Sequence, residues 1–197
     1  MAIRNSNPTL TNVTIANNTA GYGGGMDLFA SNPTLTNVTI ANNTADWSGS
    51  GMALFSSNPN LTNVTISGNN GIIDGGIFCR DSSPSLVNCI LWNNAPLEVS
   101  FAEDGYGPCE MIIAYSDIQG GLEGIVTNDF GTVYWEEGNI DTDPLFTNPE
   151  AGDFSLSWAN YPIEDETKSP CIDAGITDLD GDGIDDITDY FGQAPDM

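Results

Sequence analysis

A twelve-residue phrase sets the terms for this chain: Asn7-Pro8-Thr9-Leu10-Thr11-Asn12-Val13-Thr14-Ile15-Ala16-Asn17-Asn18. It returns at residues 32–43 and 58–69, then more loosely at 83–94. Its prolines, Pro8, Pro33, Pro59 and Pro84, are spaced by 25, 26 and 25 residues. A unit of that length cannot bury its own apolar face, so the units must stack on one another as a solenoid.

Aligned on the prolines, the repeats form ranks. Leu10, Leu35, Leu61 and Leu86 make one, Val13, Val38, Val64 and Cys89 a second, and Ile15, Ile40, Ile66 and Leu91 a third. Each Val-Thr-Ile triplet alternates apolar, polar, apolar, the period of a strand with one buried face. A second strand is expected at Met26-Asp27-Leu28, Met52-Ala53-Leu54 and Ile77-Phe78-Cys79, each after a glycine-rich run, with Met1-Ala2-Ile3 in the same register. The reading is an all-β parallel β-helix of about 25 residues per coil and about six coils. Beyond residue 94 the repeats loosen: 113–118 aligns with 86–91, 97–101 and 125–135 supply further strands, and 139–146 reads as a last coil. The expected organisation is a β-helix over 1–146 and a C-terminal capping segment over 147–197. Two polar ranks, Asn12/Asn37/Asn63/Asn88 and Asn18/Asn43/Asn69/Asn94, read as stacked ladders and tight corners.

These repeats resemble those of right-handed parallel β-helix proteins of the pectate-lyase-like superfamily. That superfamily holds polysaccharide lyases and hydrolases together with stalks and adhesins that have no activity. Asp143-Pro144-Leu145-Phe146, Gly152-Asp153-Phe154-Ser155-Leu156 and Ser169-Pro170-Cys171-Ile172-Asp173-Ala174-Gly175 follow in order. Together they resemble the C-terminal region of secreted bacterial proteins called choice-of-anchor Q domains. The resemblance implies a segment that closes the helix and precedes a sorting anchor. On the residues alone, the last of these runs should pack Ile172 against the final coil and turn at Gly175.

Charge narrows the partners. The chain has 28 acids, three bases and no histidine, a net charge of -25. Residues 1–94 hold four of the acids and the rest follow. Nucleic acid, anionic membranes and polyuronates are poor partners for such a surface. No apolar run reaches membrane-spanning length, so no membrane insertion is expected. Met1 falls in mid-coil, which reads as a piece of a longer secreted or cell-surface bacterial protein. Cys79 and Cys89 sit in inward ranks and read as buried thiols, with Cys79–Cys89 or Cys109–Cys171 disulfides as the alternative.

Chemistry is concentrated in one motif. Residues 178–189 place Asp178, Asp180, Asp182, Asp186 and Asp189 at positions 1, 3, 5, 9 and 12, with Gly183 at 6 and the Ile184 carbonyl at 7. That spacing lets alternate oxygens converge on one Ca²⁺, here as a structural cofactor. The loop resembles dockerin-type and thrombospondin-type calcium loops, though Gly175 leaves no clear helix before it. Catalytic candidates are sparse. Histidine chemistry is excluded, and Arg80 with Asp81 and Asp74 is the one cluster a lyase could use. Tyr22 and Trp47 are one repeat apart, and Phe29 and Phe55 share a rank. If they face outward they form a ribbed aromatic surface for stacking on sugar rings; if inward they are core. The expected role is therefore structural or adhesive, with a polysaccharide or another surface protein as partner. The alternatives are part of a lyase or hydrolase whose active coils lie elsewhere, or a filament subunit that self-associates through open coil edges.

Overall fold

The computed structural model describes residues 1–102, 107–179, 181–188, 190 and 192–197. Two parallel sheets form the walls of a β-helix. The first has six strands: Ala2–Arg4, Met26–Phe29, Met52–Phe55, Ile77–Arg80, Val99–Phe101 and Ile125–Val126. Their register is the one the ranks demand: Ile3 opposite Leu28, Leu28 opposite Leu54, Leu54 opposite Cys79, Cys79 opposite Phe101. The second wall is built on Thr34–Ala41 and Asn60–Ser67, flanked on one side by Thr9–Thr11 and Thr14–Ala16 and on the other by Ser85–Val87 and Ile90–Trp92. Cys109–Ala114, Asp117–Ile118 and Gly131–Trp135 continue it. Thr19–Ala20, Thr44–Ala45 and Asn70–Gly71 make a short third wall.

Six strands along one wall enclose about five turns, one fewer than the repeat count suggests. The expected coil at 139–146 does not close. After Trp135 the chain makes a single parallel bridge, Ile140 to Asp117, and then leaves into an antiparallel hairpin of Phe146–Asn148 with Asp153–Leu156.

The apolar ranks all point inward. Leu35, Val38 and Ile40, Leu61, Val64 and Ile66, and Leu86, Cys89 and Leu91 are essentially fully buried. Leu10 and Val13, which have a neighbouring coil on one side only, are half-buried against the same cluster. Each such aliphatic side chain removed from water contributes about 1.5–3 kcal/mol. All four cysteines are free and buried, so thiols serve as apolar filling and neither disulfide alternative is present.

The two asparagine ranks do different jobs. Asn12, Asn37, Asn63 and Asn88 hold left-handed φ values of 55°, 53°, 53° and 53° and turn the chain. Asparagine tolerates that conformation far better than a β-branched residue does. The rank Asn18, Asn43, Asn69, Asn94 is the true ladder. The Nδ2 of Asn18 donates to Asn43 Oδ1 at 3.0 Å, Asn43 to Asn69 at 2.9 Å, and Asn69 to Asn94 at 2.8 Å. Each Oδ1 also accepts the backbone N–H of the asparagine one coil before it. The ladder ends on Glu98, which is only 5% exposed; its carboxylate accepts both the backbone and the side-chain N–H of Asn94. Burial pushes the Glu98 carboxyl up to about 7, although the Asn94 donors pull the other way. A serine ladder, which the repeat reading overlooked, runs beside it: Ser31, Ser57 and Ser82 each accept the backbone N–H of the serine in the coil before.

The C-terminal segment docks on the side of the helix. Asn88 accepts the Ile176 N–H at 2.8 Å and donates to the Ile176 carbonyl at 2.9 Å. Cys171, rather than the expected Ile172, is the anchor: it is fully buried against Ile90 and Met197. Its thiol donates to the Asp117 carboxylate at 3.2 Å. The chain turns as expected at Gly175, whose N–H meets the Pro195 carbonyl. Burial raises Asp117 to about 6, helped by the nearby Asp141 and Asp143 charges.

Candidate functional site

Outward positions of the six-stranded wall form two rows. One reads Asp27, Ala53, Phe78, Ser100, Val126 and the other Arg4, Phe29, Phe55, Arg80. Tyr22 and Trp47 stand on the turns that lead into this wall. The aromatic residues singled out from the sequence do face outward, and three of them, Tyr22, Trp47 and Phe55, are in ring contact. Tyr22 is 46% exposed and Trp47 57%, and their rings stack at 6.4 Å with an interplanar angle of 20°. Tyr22 also meets Phe55 edge to face at 5.7 Å. Phe29, 47% exposed, is the register partner of Phe55 and carries the Arg4 guanidinium 5.6 Å above its ring. Arg4 in turn is bonded to the Asp27 carboxylate. Phe78 extends the array, 5.8 Å from Phe55. It was not anticipated, although the Ile77-Phe78-Cys79 alternation marks it as the outward residue of its strand. Ile72 and Ile73 continue the apolar surface at the turn above.

Such a ridge arises from the repeat itself. In-register coils bring equivalent side chains to about 4.8 Å strand spacing, so an outward aromatic in successive repeats becomes a row. The edge of the Trp47 indole lies 3.6 Å from where a Cβ on Gly21 would stand. Planar, partly apolar rings exposed in a row suit ligands with apolar C–H faces and hydroxyl edges.

Beyond Phe78 the surface dips. Ser48, Asp74, Phe78 and Ser100 line a pocket of about 420 Å³. Asp74 is 1% exposed, and burial raises its carboxyl, with the hydroxyls of Ser100 and Ser48 moderating the rise.

The cluster Arg80, Asp81, Asp74 is divided by its surroundings. Asp81 accepts the Ser56 hydroxyl at 2.8 Å, while Asp74 belongs to the pocket with Ser48 and Ser100. Asp141 and Asp143 serve as turn acceptors, for Gly120 N–H and Leu145 N–H.

In the acidic loop, Asp180 and Asp189 lie outside the described residues. Asp178 folds back on the loop and accepts the Gly181 and Gly183 N–H groups, both at 2.8 Å. Asp182 accepts Ile184 N–H and Asp186 accepts Leu179 N–H. Among the described residues, no three His, Cys, Asp or Glu side chains converge on one point. Among the described residues no helix is long and apolar enough to cross a membrane.

Fold and register together define a repeat protein of parallel β-coils. The right-handed β-helix region family matches residues 1–136, and the chain belongs to that family. No curated protein and no solved structure matches the chain.

Proposed function

We propose that this chain is a rigid, non-catalytic binding module of a secreted or cell-surface bacterial protein, and that its aromatic wall binds a polysaccharide. The observation that carries the reading is the outward array in which Tyr22, Trp47, Phe55 and Phe78 pack on one another, with Phe29 beside Phe55 in the same row. The scaffold beneath is locked by ladders and a continuous core, so the rings are held in place before a ligand arrives. Preorganisation of that kind reduces the ordering cost of binding. A neutral glycan fits better than a polyuronate, because a chain of net charge -25 repels anions.

The test is a glycan array followed by titration calorimetry on hits. Trp47→Ala should weaken binding about tenfold, the loss of one exposed stacking partner. Retention of wild-type affinity in that variant would move the site elsewhere. Cleavage of the glycan during the assay would instead favour the reading of a polysaccharide lyase or hydrolase. Filaments seen by electron microscopy would favour self-association through coil edges.

We also propose a structural Ca²⁺ at residues 178–189, on the spacing of Asp178, Asp180, Asp182, Asp186 and Asp189 and the Ile184 carbonyl. Asp178 already draws the loop amides inward. At calcium a hundredfold above Kd, the melting temperature should exceed that in chelator by about 5–10 °C. Equal melting with calcium and with chelator, and in Asp182→Ala, would sink it.

A further inference from the structure

The second wall of the β-helix ends on an open strand. Gly131–Trp135 pairs with Cys109–Ala114 on one side and with no strand on the other. The Phe130 carbonyl accepts from Cys109 N–H, and Glu136 N–H donates to the Ile113 carbonyl, both at 2.9 Å. Bonding alternates along a parallel ladder, so Thr132 and Tyr134 turn their backbone groups toward Cys109–Ala114, and Val133 and Trp135 turn theirs to the open edge. Among the described residues no other backbone bond reaches Val133 or Trp135. The inward side chains are left open in the same way. Trp135 continues the rank of Leu35, Leu61, Leu86 and Ile113, which are fully buried, yet it is only partly buried because no coil lies beyond it. Val133 stands likewise beside the fully buried Met111. Edge strands are usually blunted by lysine, proline or a bulge, and Gly131-Thr132-Val133-Tyr134-Trp135 has no proline and no charge. Charge stands around it instead. Asp129 and Glu136 are exposed at its two ends, and Glu110 is exposed opposite Thr132. Between residues 107 and 157 there is no Lys or Arg.

We propose that this edge docks an extended, basic segment of another protein, which adds a strand to the wall alongside Gly131–Trp135. The backbone of that segment pairs with the N–H and C=O groups of Val133 and Trp135, which supplies affinity without regard to sequence. Side chains supply the choice. Alternate positions of the segment are apolar, to cover Val133 and Trp135 where the next coil is lacking. The positions between them extend the outward pair Ile112 and Tyr134, which are 44% and 43% exposed. Lysine or arginine at its two ends meets Asp129 and Glu136, with Glu110 one strand behind. A second copy of this chain is disfavoured, because a net charge of -25 sets like charge against like at the same edge. A glycan is disfavoured because it lacks the regular alternation of N–H and C=O at strand spacing. The site lies on a different wall from the aromatic row and does not depend on it.

The experiment uses the whole chain and three peptides, read by amide hydrogen exchange and by titration in NMR. The first peptide has a core of alternating valine and threonine with two lysines at each end. The second keeps the lysines but is N-methylated along one edge of the core and along the other, so that it cannot pair. The third has glutamates in place of the lysines. Val133→Pro removes an outward N–H and leaves the pairing with Cys109–Ala114 intact, since proline is tolerated where its N–H would face solvent. Glu110→Lys with Glu136→Lys reverses the charge beside the edge. The expected result is that the lysine peptide slows exchange of the Val133 and Trp135 amides tenfold or more, and that the other two peptides do not. Val133→Pro should weaken the lysine peptide at least tenfold. The charge-reversed variant should bind it more weakly and accept the glutamate peptide. Equal binding of the N-methylated peptide would mean adsorption by charge alone and would overturn the site. So would exchange that no peptide slows. Protection in the free chain that grows with protein concentration would give the edge to a second copy and overturn the basic partner. If Val133→Pro does not melt cooperatively, the N-methylated peptide and the charge-reversed variant decide the matter.

Discussion

Asn69→Ala is expected to lower the unfolding free energy by about 3–9 kcal/mol, because three buried groups lose a partner at about 1–3 kcal/mol each. Asn69 Oδ1 accepts the backbone and side-chain N–H of Asn43, each at 2.9 Å, and its Nδ2 donates to the Ile40 carbonyl at 2.9 Å. Asn43 and Asn69 are fully buried, so water cannot replace what is lost. A domain is stable by about 5–15 kcal/mol in all, so the loss is a large part of the total. The matched control is Asn32→Ala. Asn32 Oδ1 accepts the Asn58 N–H at 2.7 Å, but on an exposed row where water substitutes. Its cost should be about 1 kcal/mol or less. Denaturant titration of both variants checks this, and equal costs would show that burial of the ladder is not what gives it weight.

Stability should also fall as pH rises from about 4 to 7. Glu98 ordinarily titrates at 4.5 and is raised to about 7 in the folded chain; Asp117 goes from 3.8 to about 6. The folded protein thus holds these two protons through a window in which the unfolded chain has released them. Stability is greatest below the unfolded values, declines through the window and levels off above about pH 7. At 1.36 kcal/mol per pH unit, each group accounts for about 3 kcal/mol. The two are coupled, since the charge on Asp117 raises Glu98, so the total is on the order of 5 kcal/mol and not a simple sum. Groups around them push the same way: Asp141 and Asp143 face Asp117, and Asp74 and Asp196 are also raised by burial. Glu98→Gln should remove the upper part of the decline and leave the part due to Asp117. Its amide oxygen would face Asn94, as each asparagine oxygen faces the rung before it. The stability of this variant should rise at pH 8 by about 2 kcal/mol. Superimposable pH profiles for wild type and variant would refute the assignment.

What the sequence revealed and what it hid follow from period. Leu35, Val38 and Ile40 could be placed inward because four copies repeat the same alternation. Asn18, Asn43, Asn69 and Asn94 could be read as a ladder because the rank never varies. Ser31, Ser57 and Ser82 repeat as faithfully, but serine two places before the repeat proline looks like ordinary turn chemistry, and only the cross-coil bonds give it a second role. Whether Phe29 and Phe55 faced out was open until the wall's register was known. Glu98 and the Asp74–Ser100 pocket were illegible for one reason. The step from Met52 to Ile77 is 25 residues, but from Ile77 to Val99 only 22. A shortened coil brings Glu98 to the next rung four residues after Asn94, where a repeat-based alignment expects nothing. The calcium loop is legible only as spacing, because two of its acids lie outside the described residues.

The asparagine ladder also has a bearing on how such a chain can change length over generations. Every rung gives and receives the same bonds, so a copied or deleted unit of 25 or 26 residues presents each neighbour with the partner it already had. A gain or loss of a single residue inside a strand, by contrast, would move every inward residue of that strand to the other face, whereas the one-residue difference between units of 25 and 26 leaves the amide and serine rungs aligned. Whole-unit duplication therefore preserves every rung, and the one-residue difference between the 25- and 26-residue units is accommodated without breaking the ladder. Irregular coils past Glu98 and faithful repeats before it are the pattern that this asymmetry would leave behind.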